Sequence, residues 1–209
     1  MKEKYQFDEL RNSLKQHLYD ALEYSLKNKN WREANELTHK LMLFIANTTE
    51  KDYLYIEELE KFSCFDLKKI DNYWVENSNG RFGFSVQKKI FIETGNRLGV
   101  KPQDWNKSDL DNYLRFASAV GWYDENRRNN GRESGWLQYS YYMGMVRNDP
   151  SWGRGGLPGG GWLQLLCSEI DLLCVETIIM IGVGEGWRIL PDNLFGYSFL
   201  ALRLVNCDI

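Results

Sequence analysis

Histidine is nearly missing from this chain: among 209 residues there are two, His17 and His39. The four cysteines, at 64, 167, 174 and 207, show no C-x-x-C spacing. No zinc site assembles from these residues. Acid–base catalysis loses its usual residue as well, because both histidines fall on helical stripes rather than in loops. No G-x-S-x-G elbow and no loop with paired carboxylates takes their place. A basic excess is also missing, since 26 Lys and Arg face 29 Asp and Glu for a formal charge of −3. That balance argues against a nucleic-acid partner. No long apolar run is free of charge. The best stretch, Trp162 to Val183, contains Glu169, Asp171 and Glu176. At most a peripheral membrane contact is expected. The opening MKEKYQFDEL has neither the apolar centre of a secretory signal nor the acid-poor character of a transit peptide. Four thiols without a signal peptide read as reduced intracellular cysteines. A dinucleotide fingerprint is absent too. "IIMIGVGEG" offers glycines at 182, 184 and 186, but Trp187 stands where the third glycine should open a helix.

What is present is a foldable, aromatic chain: 43% hydrophobic and 14% aromatic, with eight tryptophans. Leu10, Leu14, Leu18, Leu22 and Leu26 recur every four residues and predict a first helix. Asn30 and Glu33 predict a capping box, with Ala34, Leu37, Leu41 and Phe44 following at helical spacing. The short link makes these two helices an antiparallel hairpin. A short third helix is expected around Tyr53 to Leu59. Ser63 to Asp66 caps a fourth, carried by Leu67, Ile70 and Trp74 and stopped by the turn Asn77 to Gly80. Val86, Ile90 and Phe91 predict another helix stopped by Gly95. A box-like start at Ser108 to Asp111 introduces Leu110, Tyr113, Leu114 and Ala117. The expectation is an all-α domain of about seven short helices. Residues 1–29 form a packing helix, 30–158 a core, and 159–209 a segment of unassigned role.

Two loops interrupt the helices. Tyr123 to Gly135 holds three arginines, and Pro150 to Trp162 holds six glycines in thirteen positions. Earlier, "GRFGFSVQKKIF" sets Phe82 and Phe84 around a glycine beside Arg81. Aromatic faces stack on flat apolar rings. Arginine forks fit carboxylates. A ligand suited to both is planar, large and edged with carboxylates, as a porphyrin is. The plainer reading sends the aromatics to the core and leaves the arginines solvated.

The order of motifs resembles the genomes-uncoupled-four tetrapyrrole-binding family. Its pieces here are Trp31-x-x-Ala34-x-x-x-Thr38 with Leu41-Met42, Asp66-Leu67-x-x-Ile70-Asp71-x-x-Trp74, and Ser78 with "GRFGFSVQ" at 80–87. Val120-Gly121-Trp122, Trp136-Leu137-x-Tyr139 and Arg154-Gly155-Gly156-Leu157-Pro158 follow. The resemblance implies an all-helical fold whose inter-helix loops form a cupped porphyrin-binding face. It implies protoporphyrin IX or its magnesium form as ligand, and stimulation of magnesium chelatase in chlorophyll synthesis through the chelatase large subunit. It implies a regulatory protein rather than an enzyme, expected as a monomer. The expected compartment is a phototrophic bacterium's cytoplasm, or a plastid stroma if the gene is plastid-encoded. The extra N-terminal helical bundle of some members is not expected here. Gly156 departs from the histidine usual in the family. The alternative is a protein-interaction module, or a bilin-binding one, that has lost or changed its pigment.

Carried onto this sequence, the porphyrin-binding residues are Phe82, Phe84, Gln87, Trp122, Arg127, Arg128, Tyr139, Arg154, Leu157 and Pro158. Phe82, Phe84 and Trp122 are expected near the ring, and Arg154 with Arg127 and Arg128 at the propionates. Covering one ring face hides about 200–300 Å2 of apolar ligand, or roughly 5–7 kcal/mol. Association costs remove several of these, which leaves micromolar or tighter binding. With no histidine in the candidate loops, no strong axial protein ligand is expected, which disfavours haem.

Overall fold

The leucine stripe does build the first helix, but only its second half is covered. In the computed structural model, which describes residues 2–50, 54, 56–100, 104, 106–126, 179–183, 186–190 and 193–209, α1 runs Lys2–Lys27. Leu22 and Leu26 are fully buried, whereas Leu10 and Leu14 are 69% and 46% exposed. The chain reverses at Lys29, whose φ is +56°, and enters α2, Trp31–Ala46, which packs along α1. The expected cap at Asn30 does not form. Its side-chain amide instead donates to the Glu33 carboxylate at 2.6 Å, which diverts the group from the first-turn N–H groups.

The third helix, α3, is Ile56–Lys61, displaced toward the C-terminus from its expected place. Helix α4, Cys64–Asn77, starts as expected: Ser63 Oγ accepts the Asp66 N–H at 3.3 Å. It ends in left-handed residues, Asn79 at φ +53° and Gly80 at φ +73°. Helix α5, Phe84–Glu93, stops before Gly95, which has φ +84°. Helix α6, Lys107–Ala119, does begin with a capping box, but Asn106 holds it, two residues before the expected serine. Asn106 accepts from Ser108 and Asp109 N–H groups, and the Asp109 carboxylate accepts the Asn106 N–H at 2.9 Å. Arg97 clamps that carboxylate through two hydrogen bonds of 2.7 and 2.6 Å. An antiparallel hairpin follows far along the chain, β1 Ile179–Val183 and β2 Gly186–Leu190, with Ile179 opposite Leu190. Helix α7, Asn193–Asn206, completes the described residues.

The fold is therefore all-α at its centre, with seven helices and one hairpin among the described residues. The aromatic excess goes into the core: Trp74, Trp122, Phe82, Phe84, Phe91 and Phe116 are all buried. They meet Leu41, Leu67 and Ile70, and Leu200, Ala201 and Leu204 of α7 complete the cluster. One expectation about the cysteines is corrected here. Cys64 and Cys207 form a disulfide, with Cα atoms 5.2 Å apart across 143 residues of sequence. Docking α7 on α3 and α5 brings the chain's last turn to the start of α4, so a pairing with no local spacing becomes possible.

Candidate functional site

The glycine-bracketed turn between α4 and α5 is built by side chains that reach it from outside. Ser78 Oγ accepts the Phe82 N–H at 2.9 Å and closes the loop onto itself. Asp71, one and a half turns before the end of α4, sends Oδ1 to the Ser85 N–H at 2.9 Å and so caps α5 from a neighbouring helix. Between them Gly83 has φ +139°. A Cβ there would lie 2.7 Å from Val75 Cγ2 and 2.8 Å from Asp71 Oδ1, so the position admits only glycine. Burial pushes the Asp71 carboxyl up, against hydrogen bonds from Ser85 and Phe84 that pull it down.

This frame drives the two phenylalanines inward. Phe82 and Phe84 are 0% exposed. Phe82 sets its edge against Trp31 at 5.3 Å and Trp74 at 6.1 Å. Arg81 lays its guanidinium over the Phe82 ring, 4.6 Å from the centroid. The arginine beside the aromatics thus covers the one that seals the core. Trp74 is pinned in turn: its indole N–H donates to Thr38 Oγ1 at 2.9 Å, and the Thr38 hydroxyl donates to the Ala34 carbonyl at 2.8 Å. The spaced residues Trp31, Ala34, Thr38, Asp71 and Trp74 are one contiguous piece of core and cap.

Trp122 has a comparable anchoring place. Gly121, at φ +80°, turns the chain out of α6, and the Trp122 and Tyr123 N–H groups both donate to the Ala117 carbonyl, at 2.7 and 3.2 Å. Its ring meets the Phe116 ring edge-on at 5.5 Å.

The expected site residues divide sharply. Phe82, Phe84, Gln87 and Trp122 are buried, between 0 and 2% exposed. Phe82, Phe84 and Trp122 belong to the same buried cluster as Trp74 and Phe116. Arg127, Arg128, Tyr139, Arg154, Leu157 and Pro158 lie outside the described residues. The positioning role of Asp71 was missed by sequence reasoning. Its signal was available: an acid three residues before Trp74, with a glycine-aromatic pair a helical end away. Among the described residues no group of three His, Cys, Asp or Glu side chains could hold a metal ion, and no helix is long and apolar enough to cross a membrane.

The comparisons agree with this frame. The GUN4-like family model matches residues 12–144. The chain is 40% identical over 114 residues to the chloroplastic tetrapyrrole-binding protein of Arabidopsis thaliana, covering 50% of this chain and 43% of that protein. It is 34% identical over 79 residues to the Ycf53-like protein of Synechocystis, covering 37% of this chain and 34% of that protein. It spans less than half the length of either relative. In fold it resembles the ligand-free structure of Arabidopsis thaliana GUN4, with a TM-score of 0.52 at 23% identity over 87% of this chain and 91% of that one.

Proposed function

This chain belongs to the GUN4-like family, and from that premise we propose that it binds a tetrapyrrole without transforming it. The observation that carries the reading is the 40% identity to a relative named for tetrapyrrole binding. The residues quoted from Trp31 to Tyr139 fall within the family match, and those from Trp31 to Trp122 are explained by the core and turn geometry. Phe82, Phe84, Gln87 and Trp122 act as positioning residues. They pack the α4–α5 turn and the exit from α6 into the core. The contacting residues are Arg127, Arg128, Tyr139, Arg154, Leu157 and Pro158. Of these, Arg154, Leu157 and Pro158 lie beyond the family match and rest on the local R-G-G-L-P run alone.

The finer reading is protoporphyrin IX or Mg-protoporphyrin IX as the ligand, and stimulation of magnesium chelatase through its large subunit as the role. Relatives from a chloroplast and from a cyanobacterium support a plastid or bacterial cytoplasmic setting. Titration of the protein with deuteroporphyrin, read by tryptophan quenching, tests the binding claim. Saturable quenching with a dissociation constant of micromolar order or tighter is expected. Quenching that stays linear to roughly 100 µM, where only weak association remains, overturns it.

A further inference from the structure

We infer that the Cys64–Cys207 disulfide is a reducible latch that fixes the C-terminal helix to the body of the domain. The bridge joins the first residue of α4 to the residue just after α7. Both cysteines are half-buried at the rim, and their neighbours Phe65 and Val205 are 74% and 39% exposed. A dithiol in solution can therefore approach the sulfurs without opening the core.

What the latch holds is separable from the rest. Leu200, Ala201 and Leu204 enter the core, and the Arg203 guanidinium donates twice to the Phe62 carbonyl, at 2.9 and 2.6 Å. Lys88 of α5 donates to the Ile209 carbonyl. Leu202 packs so closely on Gly99 that a Cβ there would lie 2.5 Å from its Cδ2. These contacts bind one helical end into the core that α1, α2, α4, α5 and α6 share with it. Cut at the sulfurs, the end keeps a docking site but loses its tether, so opening becomes local rather than global.

The chemistry is thiol–disulfide exchange with a dithiol. One thiolate of the reductant attacks Cys207 Sγ. The Cys64–Cys207 bond breaks, and the electron pair leaves on Cys64 Sγ, which takes a proton. Cys64 is the better leaving group because it sits at the N-terminus of α4, where the helix dipole stabilises a departing thiolate. The nearby Asp66 charge opposes this, but Lys15 pairs with it at 2.7 Å. The second thiol of the reductant then resolves the mixed disulfide and frees Cys207 as a thiol. Two electrons and two protons pass to the protein, and the reductant ends as a disulfide.

The test uses the full chain carrying Cys167→Ser and Cys174→Ser, before and after treatment with dithiothreitol. Maleimide labelling should find no free thiol before and two after. Hydrogen exchange in peptides covering 200–209 should accelerate by at least about tenfold, while peptides inside α2 and α4 hold their protection. Reoxidation should restore the slow exchange, and Cys64→Ser with Cys207→Ser should reproduce the reduced pattern. Free thiols at 64 and 207 before reduction overturn the proposal. So does exchange at 200–209 that is unchanged by reduction, or acceleration that spreads equally through α2 and α4. These readouts need no ligand, so they stand or fall separately from tetrapyrrole binding.

Discussion

The Asp71 carboxylate accepts the backbone N–H of Ser85 at 2.9 Å, so the first turn of α5 is capped by a side chain of α4. The contact ties two helices at the glycine-rich turn between them. Asp71→Ala leaves that N–H without its acceptor in a mostly buried place, at a cost of about 1–3 kcal/mol. Asp71→Asn keeps an acceptor oxygen and should recover most of the loss. Urea unfolding of the three proteins measures the difference. Equal stability of wild type and Asp71→Ala would show that water replaces the cap.

The two glycines of this turn should respond differently to alanine. Gly80 has φ +73° with open space around its Cβ position. Gly80→Ala should cost about 1–2 kcal/mol, the backbone penalty alone. Gly83 combines φ +139° with contacts of 2.7 and 2.8 Å to Val75 and Asp71. Gly83→Ala should cost clearly more, on the order of 3 kcal/mol or beyond. The urea midpoints decide it. A reversed order would mean that α4 shifts to make room at position 83.

Thr38 and Trp74 offer a test inside the core. Both are 0% exposed, and the indole N–H depends on the threonine hydroxyl. Thr38→Val preserves shape and strands the donor, for a predicted loss of about 1–3 kcal/mol. Thr38→Ser keeps the hydroxyl and should be milder despite the missing methyl. Thermal unfolding ranks the two variants.

Much of this was readable from the sequence, for physical reasons that can be named. The helices α1, α2 and α4 to α6 announce themselves because one face of each enters the core, so apolar residues recur at helical spacing. Ser63 was readable as a cap because its partner is three residues away. Asn106 escaped notice because the stronger-looking Ser108 to Asp111 run lay beside it, and because Arg97, which holds Asp109, belongs to a distant loop. The disulfide was illegible for the same reason: 143 residues separate its halves. Phe82 and Phe84 left two readings open in the sequence, because an aromatic pair next to an arginine suits a ligand face and a capped core equally well.

Acid should weaken the domain through Asp66. Burial raises its carboxyl, but hydrogen bonds from Lys15, Tyr19 and Ser63 outweigh burial and leave it below the ordinary 3.8. The folded state then binds this proton less readily than the unfolded chain does. The stability from Asp66 is present above 3.8 and is lost as pH falls through the lower folded value. Asp71 has the opposite sign: its raised carboxyl contributes most in acid and less as pH rises through its folded value. Asp66→Asn should lower stability at neutral pH and flatten the acid limb. Urea midpoints from about pH 7 to about pH 3 test this, and an unchanged acid limb would assign acid unfolding to other carboxylates.

The last prediction concerns Arg154, for which Gly153, Gly155 and Gly156 are the flanking residues in sequence. If its guanidinium pairs with a propionate of the bound ring, Arg154→Ala should weaken free-acid porphyrin by about 1–2 kcal/mol. With a dimethyl-ester porphyrin the carboxylate is gone, and the same substitution should make little difference. Titrating both proteins with both ligands forms a cycle whose coupling energy isolates the ion pair from any general effect on the loop. Phe82→Leu belongs beside it as a control for the frame. Since Phe82 is fully buried, that change should lower thermal stability, and any loss of affinity in the folded fraction should be the same for free acid and ester. Equal losses for free acid and ester in Arg154→Ala would mean that the residue shapes its loop instead of meeting the ligand's charge, and the propionate partner would then be sought at Arg127 and Arg128.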